Sequence, residues 1–136
     1  MNGVDPFLDT NVLIYLLSAD DAKADRAEEL IAAGGTISVQ VLNELAAVAR
    51  RKLGMSWSEI REITTQIRGI LRVVPLTTEA HDRGVDLADH LGLSIYDGLI
   101  VASALLSGCA ILYTEDLQHG RVVEAQLTIR NPFASA

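Results

Sequence analysis

Apolar residues recur along the chain in two rhythms, short unbroken runs and longer segments in which they return every three or four positions. Val4 to Asp9 is the first short run and predicts a strand. Thr10 to Ser18 follows at helical spacing, with Val12, Leu13, Leu16 and Leu17 on one side. Asp20-Asp21 caps a second helix from Ala22 to Ala33, and Gly34-Gly35 ends it. Thr36 to Val39 is β-rich and leads directly into a helix from Gln40 to Leu53, stopped by Gly54. Ser56-Trp57-Ser58-Glu59 has the form of a capping box and opens a helix to Ile70. Leu71 to Leu76 predicts a third strand, and Thr77-Thr78-Glu79 opens a helix reaching Leu91. A further helix runs from Ser94 or Ile95 to Leu106, and Ala110 to Tyr113 is a fourth strand. Gln126 to Arg130 alternates and predicts a final edge strand before Pro132. Strands separated by helices predict an α/β fold, three-layer α/β/α around a parallel sheet.

Length and composition narrow this picture. The 136 residues contain no internal repeat, low-complexity segment or linker-like shift, so one domain spanning 1–136 is expected. Composition is 49% hydrophobic and 21% charged, as in soluble globular proteins. The net charge of −7 argues against broad electrostatic binding to nucleic acid. It leaves room for a nuclease, because carboxylates that hold metal ions add to the acidic count. Nine of the eleven basic residues are Arg, the better fork for phosphate. The single cysteine, Cys109, rules out an intrachain disulfide and sits in an apolar run as a small hydrophobe. The run Val12 to Leu17 is too short for a signal sequence or membrane span, so a reducing, cytoplasmic setting without a membrane is expected.

Four carboxylates carry the candidate chemistry. Asp9 ends the first strand, and ligands of open α/β sheets bind outside such strand ends. Asp is also a favoured helix cap, so Asp9 alone has two readings. From Gly98 through Thr114 there is no charged residue, so the helix after Asp97 should be buried. The strand following that helix runs back antiparallel to it, which brings Asp97 and Asp116 to one edge. Glu44 lies about one turn into its helix, at the border of an apolar stripe made by Val41, Leu45 and Val48. Glu44 as a solvated residue, Asp97 as a cap and Asp116 as a turn residue are the plainer readings. Glu115 competes with Asp116 but should point away if Asp116 points in. Crowded carboxylates raise one another's pKa unless a cation sits among them. Oxygen-only ligands suit Mg²⁺ or Mn²⁺, and His81, His90 and His119 lack the spacing for zinc.

Four blocks in order carry a family resemblance: Leu8-Asp9-Thr10-Asn11-Val12-Leu13-Ile14, Ser38 with Glu44, Tyr96-Asp97-Gly98-Leu99-Ile100-Val101-Ala102-Ser103-Ala104, and Leu112-Tyr113-Thr114-Glu115-Asp116-Leu117. Together they resemble a PIN domain over essentially the whole chain, and within it the VapC-like toxins of bacterial toxin–antitoxin pairs. The resemblance implies about five parallel strands in the order 3-2-1-4-5 and a metal-dependent ribonuclease. It maps the acidic metal and catalytic positions onto Asp9, Glu44, Asp97 and Asp116, with a supporting polar position at Thr114 and another at Asn11. It implies products with a 5′-phosphate, a neutralising antitoxin partner and a homodimer, for which the apolar helices from Ala22 to Ile70 offer surface. Relatives commonly carry Ala at the position of Gly98, where glycine is expected only to weaken the helix start.

The expected reaction is hydrolysis of an RNA phosphodiester by water activated at one or two Mg²⁺. Thr114 would orient a carboxylate or water. Arg50, Arg51 and Lys52 either contact RNA or answer the dipole of their helix. Two other functions compete: a catalytically silent PIN-fold binding module, and an aspartyl-phosphate phosphohydrolase. The second needs a lysine late in the chain, and the only lysines are Lys23 and Lys52.

Overall fold

A computed structural model describes residues 5–134 of the chain. In order the elements are β1 (Phe7–Leu8), α1 (Thr10–Ile14) with a 3₁₀ turn (Tyr15–Leu17), α2 (Asp21–Ala32), β2 (Thr36–Ser38), α3 (Val39–Leu53) and α4 (Trp57–Ile70). They continue with β3 (Arg72–Val74), α5 (Thr78–Leu91), α6 (Ile95–Leu106), β4 (Ile111–Tyr113), β5 (Val122–Val123) and β6 (Leu127–Arg130). The strand predicted from Val4 is shorter, and Val4 itself lies outside the described residues. The helix predicted to Ser18 tightens into the 3₁₀ turn after Ile14. The capping box forms as its sequence predicts, with Ser56 and Glu59 satisfying each other's backbone N–H groups.

The sheet order is β3-β2-β1-β4-β6-β5. The first five of these run parallel, in registers that pair Phe7 with Thr36 and Leu112, Ile37 with Val73, and Leu112 with Ile129. The edge strand predicted at Gln126–Arg130 therefore takes the fifth place, as β6. The expected order 3-2-1-4-5 is extended by one strand, because β5 pairs antiparallel to β6 through Val123 and Leu127. Glu124 and Ala125 make that reversal in the left-handed region, at φ 52 and 55. A two-residue strand is too short to show a hydrophobic rhythm, and neither turn residue is a glycine to announce it.

The central strands are the core. Phe7, Leu8, Ile37 and Leu112 are fully buried. Helix α6 is buried from Gly98 through Leu105, as its run of uncharged residues predicts. It packs on α5 with almost no space between the backbones. A Cβ on Gly98 would lie against the carbonyl oxygen of Gly84, closer than real Cβ atoms approach, and 3.2 Å from Ala88 Cβ. One on Gly84 would lie 2.8 Å from Leu99 Cδ2. This corrects the expectation for Gly98: the glycine is a packing requirement beside Asp97. Among the described residues no single helix is long and apolar enough to cross a membrane.

Candidate metal centre at the sheet edge

Parallel pairing of β1 with β4 aligns Leu8 with Tyr113, so the residues just past both strands are neighbours. The Asp9 N–H donates to the Tyr113 carbonyl at 3.0 Å. The Asp9 carboxylate has two partners: Oδ1 accepts the Thr10 N–H at 2.7 Å, and Oδ2 accepts the Thr114 hydroxyl at 2.8 Å. Asp9 is thus the cap of α1 and part of the cluster at once; the two readings do not exclude each other. The Thr114 hydroxyl is fully buried and accepts from Asn11 Nδ2 at 3.2 Å and from the Asp116 N–H at 3.1 Å. Asn11 Nδ2 also donates to Asp116 Oδ2 at 3.1 Å, and Asn11 Oδ1 accepts the Glu115 N–H at 3.3 Å. One threonine and one asparagine therefore hold two carboxylates in fixed relation.

Asp97 arrives from the opposite direction, in the first turn of α6, where its N–H donates to the capping Ser94 Oγ at 3.1 Å. Carboxylate oxygens of Asp9, Asp97 and Asp116 lie within 4.8 Å of one another. Glu44 borders the same cavity, of about 200 Å³, but stands outside that closest trio. Its Oε1 accepts the Thr10 hydroxyl at 2.6 Å, so it turns inward as its place on the stripe predicts. Thr10 was not among the predicted site residues; a threonine opening the helix after Asp9 was the available signal. Glu115 points away, accepting from Tyr15 Oη at 2.5 Å and Lys23 Nζ at 3.1 Å. Those contacts join residues 100 and 92 positions apart, and no local pattern encodes them. His119 Nδ1 accepts the Asn131 N–H at 2.9 Å, and the His90 ring lies on the Asp86 carbonyl at 2.7 Å, so both serve local structure.

The electrostatics are those of crowded anions. Burial raises the Asp9 carboxyl from 3.8 to about 6; the bonds from Thr114 and Thr10 oppose the rise, and the charges of Asp116 and Glu44 add to it. Burial, then the Asp116 charge, also raises Asp97; Ser94 opposes and Glu44 adds. The ion pairs among the described residues are Lys23–Glu115, Arg26–Glu29 and Arg83–Glu124, so none reaches the cluster. An all-oxygen donor set, compact and without a cationic side chain, fits a hard divalent cation.

A parallel α/β sheet with acidic side chains gathered where its strands end defines the class of protein. The chain belongs to the PIN domain family, whose model matches residues 7–125. Among solved structures it is similar to a toxin–antitoxin complex from Klebsiella pneumoniae, at 20% identity and TM-score 0.71 over 95% of this chain and 98% of that one. It is similar to VapC20 of Mycobacterium tuberculosis, a sarcin–ricin loop cleaving toxin, at 24% identity and TM-score 0.67 over 82% and 90%. It is also similar to DNA-bound VapBC from Salmonella typhimurium, at 19% identity and TM-score 0.70 over 95% and 98%. A search of curated protein sequences finds no match.

Proposed function

We propose that the protein is a divalent-metal-dependent endoribonuclease and the toxin of a toxin–antitoxin pair. The observation that carries this is the trio Asp9, Asp97 and Asp116, with oxygens within 4.8 Å and, among the described residues, no basic side chain paired to them. Those three would hold Mg²⁺ or Mn²⁺, with Glu44 beside them. When bound, the cation supplies positive charge that lowers the pKa of water and offsets charge on a phosphodiester. The chain's own residues do the positioning. Thr114 fixes the Asp9 carboxylate, Asn11 fixes Asp116, and Thr10 fixes Glu44. Thr114 thus acts on the reaction through Asp9. Lys23, the lysine nearest in sequence to Asp9, is held by Glu115 and Tyr15 facing away from the cluster, which disfavours aspartyl-phosphate chemistry.

The same proposal takes residues 1–136 as one nuclease unit working in the cytoplasm, bound by a cognate antitoxin and forming a homodimer. An apolar groove of about 250 Å³ between the 3₁₀ turn, α2 and α4 supports a protein partner, and Ile70 on its rim is 57% exposed. A purified, antitoxin-free sample should cut a mixed RNA pool with Mg²⁺ or Mn²⁺ and leave 5′-phosphate ends. Folded protein that binds metal yet cuts no RNA would point to a silent binding module. A light-scattering mass of one chain at micromolar concentration would remove the dimer.

A further inference from the structure

Resting on the nuclease reading, we infer that Tyr96 is a stacking platform for an unpaired nucleobase beside the scissile phosphate. Tyr96 precedes Asp97 in the first turn of α6 and is 63% exposed. It lines the cavity that Asp9, Asp97, Asp116 and Glu44 share. Its position is fixed through the backbone, because its carbonyl accepts from Nε2 of the buried Gln40 at 3.3 Å. Packing therefore does not account for the ring: Tyr96 lies outside the hydrophobic core cluster and is largely exposed where it lines the cavity. Trp57, exposed to a similar degree, is no rival: the Arg50 guanidinium covers its ring at 5.2 Å, and Trp57 does not line the cavity.

Charge sharpens the argument. A chain of net charge −7 gains little from the phosphate backbone outside a bound cation. Stacking on an aromatic face is the contribution that remains, and it tolerates any base. A base inside a duplex has no free face to offer, whereas loops and unpaired strands do. The tyrosine adjoins a cluster residue, so the base it takes belongs to a nucleotide flanking the cut.

The test compares the wild type, Tyr96→Phe and Tyr96→Ala on a short single-stranded RNA with Mg²⁺. The same RNA carrying an abasic sugar on either side of the cut completes the comparison. Tyr96→Phe should match the wild type. Tyr96→Ala should raise KM on the order of tenfold with a much smaller change in kcat. Removing the flanking base should cost the wild type a similar factor and cost Tyr96→Ala almost nothing. Calorimetric Mn²⁺ affinity should be equal in all three, which separates stacking from damage to the metal centre. Wild-type cleavage with an unchanged KM in Tyr96→Ala overturns the stacking role and leaves the nuclease reading intact. If the wild type cuts no RNA, binding decides: a 2-aminopurine RNA quenched by the wild type and not by Tyr96→Ala supports the platform, and equal quenching or no binding overturns it.

Discussion

Replacing Asp9 by Asn should stabilise the metal-free protein while removing its response to metal. The folded state holds the Asp9 proton up to about pH 6, against 3.8 for the ordinary carboxyl. At about 1.4 kcal/mol per pKa unit, ionised Asp9 destabilises the fold by about 3 kcal/mol at neutral pH. Below 3.8 the group is protonated in both states and there is no penalty; it grows as pH rises and is full above about 6. The amide keeps the bond from the Thr10 N–H. It faces Thr114 with a donor instead of an acceptor, which leaves that buried hydroxyl proton without its partner, a loss of about 1–3 kcal/mol. The net gain is up to about 2 kcal/mol, or up to about 6 °C in Tm for a domain of this size. Thermal melts in EDTA should therefore place Asp9→Asn above the wild type at neutral pH and level with or below it near pH 4. Added Mg²⁺ should raise the wild type by mass action and leave the variant unmoved. A variant less stable than the wild type in EDTA at neutral pH would refute the reasoning, since it would mean that the buried carboxylate is not under strain.

Thr114→Val should cost about 2–3 kcal/mol in urea unfolding, because Asp9, Asn11 and the Asp116 N–H all lose a buried partner. A change under about 0.5 kcal/mol would mean that water replaces the hydroxyl freely. Thr10→Val should lower RNA cleavage about 10- to 100-fold by freeing Glu44, with the thermal midpoint nearly unchanged. Gly98→Ala should destabilise by about 1–3 kcal/mol through overpacking against Gly84, whereas Gly69→Ala, which meets nothing within 4 Å, should stabilise by up to about 1 kcal/mol. Both glycines giving the same sign in chemical denaturation would contradict the close approach of α5 and α6.

The legible part of the fold was the part written in local patterns. Capping residues, glycine stops and the uncharged run after Asp97 placed the helices after α1 within a residue or two, and alternating strands and helices implied the parallel sheet. The four carboxylates were legible because strand-to-helix geometry brings their positions to one edge whatever their side chains do. What local patterns do not encode depends on contacts between distant residues. The bond from Thr10 to Glu44 and the hold of Lys23 on Glu115 join residues 34 and 92 positions apart. The β5 reversal uses Glu124 and Ala125 at positive φ, which their residue types do not announce. Gly98 shows the same limit: only the position of the Gly84 carbonyl turns a weak helix former into a requirement.

The most direct test titrates Mg²⁺ against cleavage of one end-labelled RNA, with the wild type and Asp97→Asn side by side and folding checked by circular dichroism. Cleavage that saturates with Mg²⁺, stops in EDTA and disappears in folded Asp97→Asn is the predicted result. Cleavage that persists in EDTA, or that Asp97→Asn performs as well as the wild type, would contradict the assignment of this carboxylate cluster as the working centre.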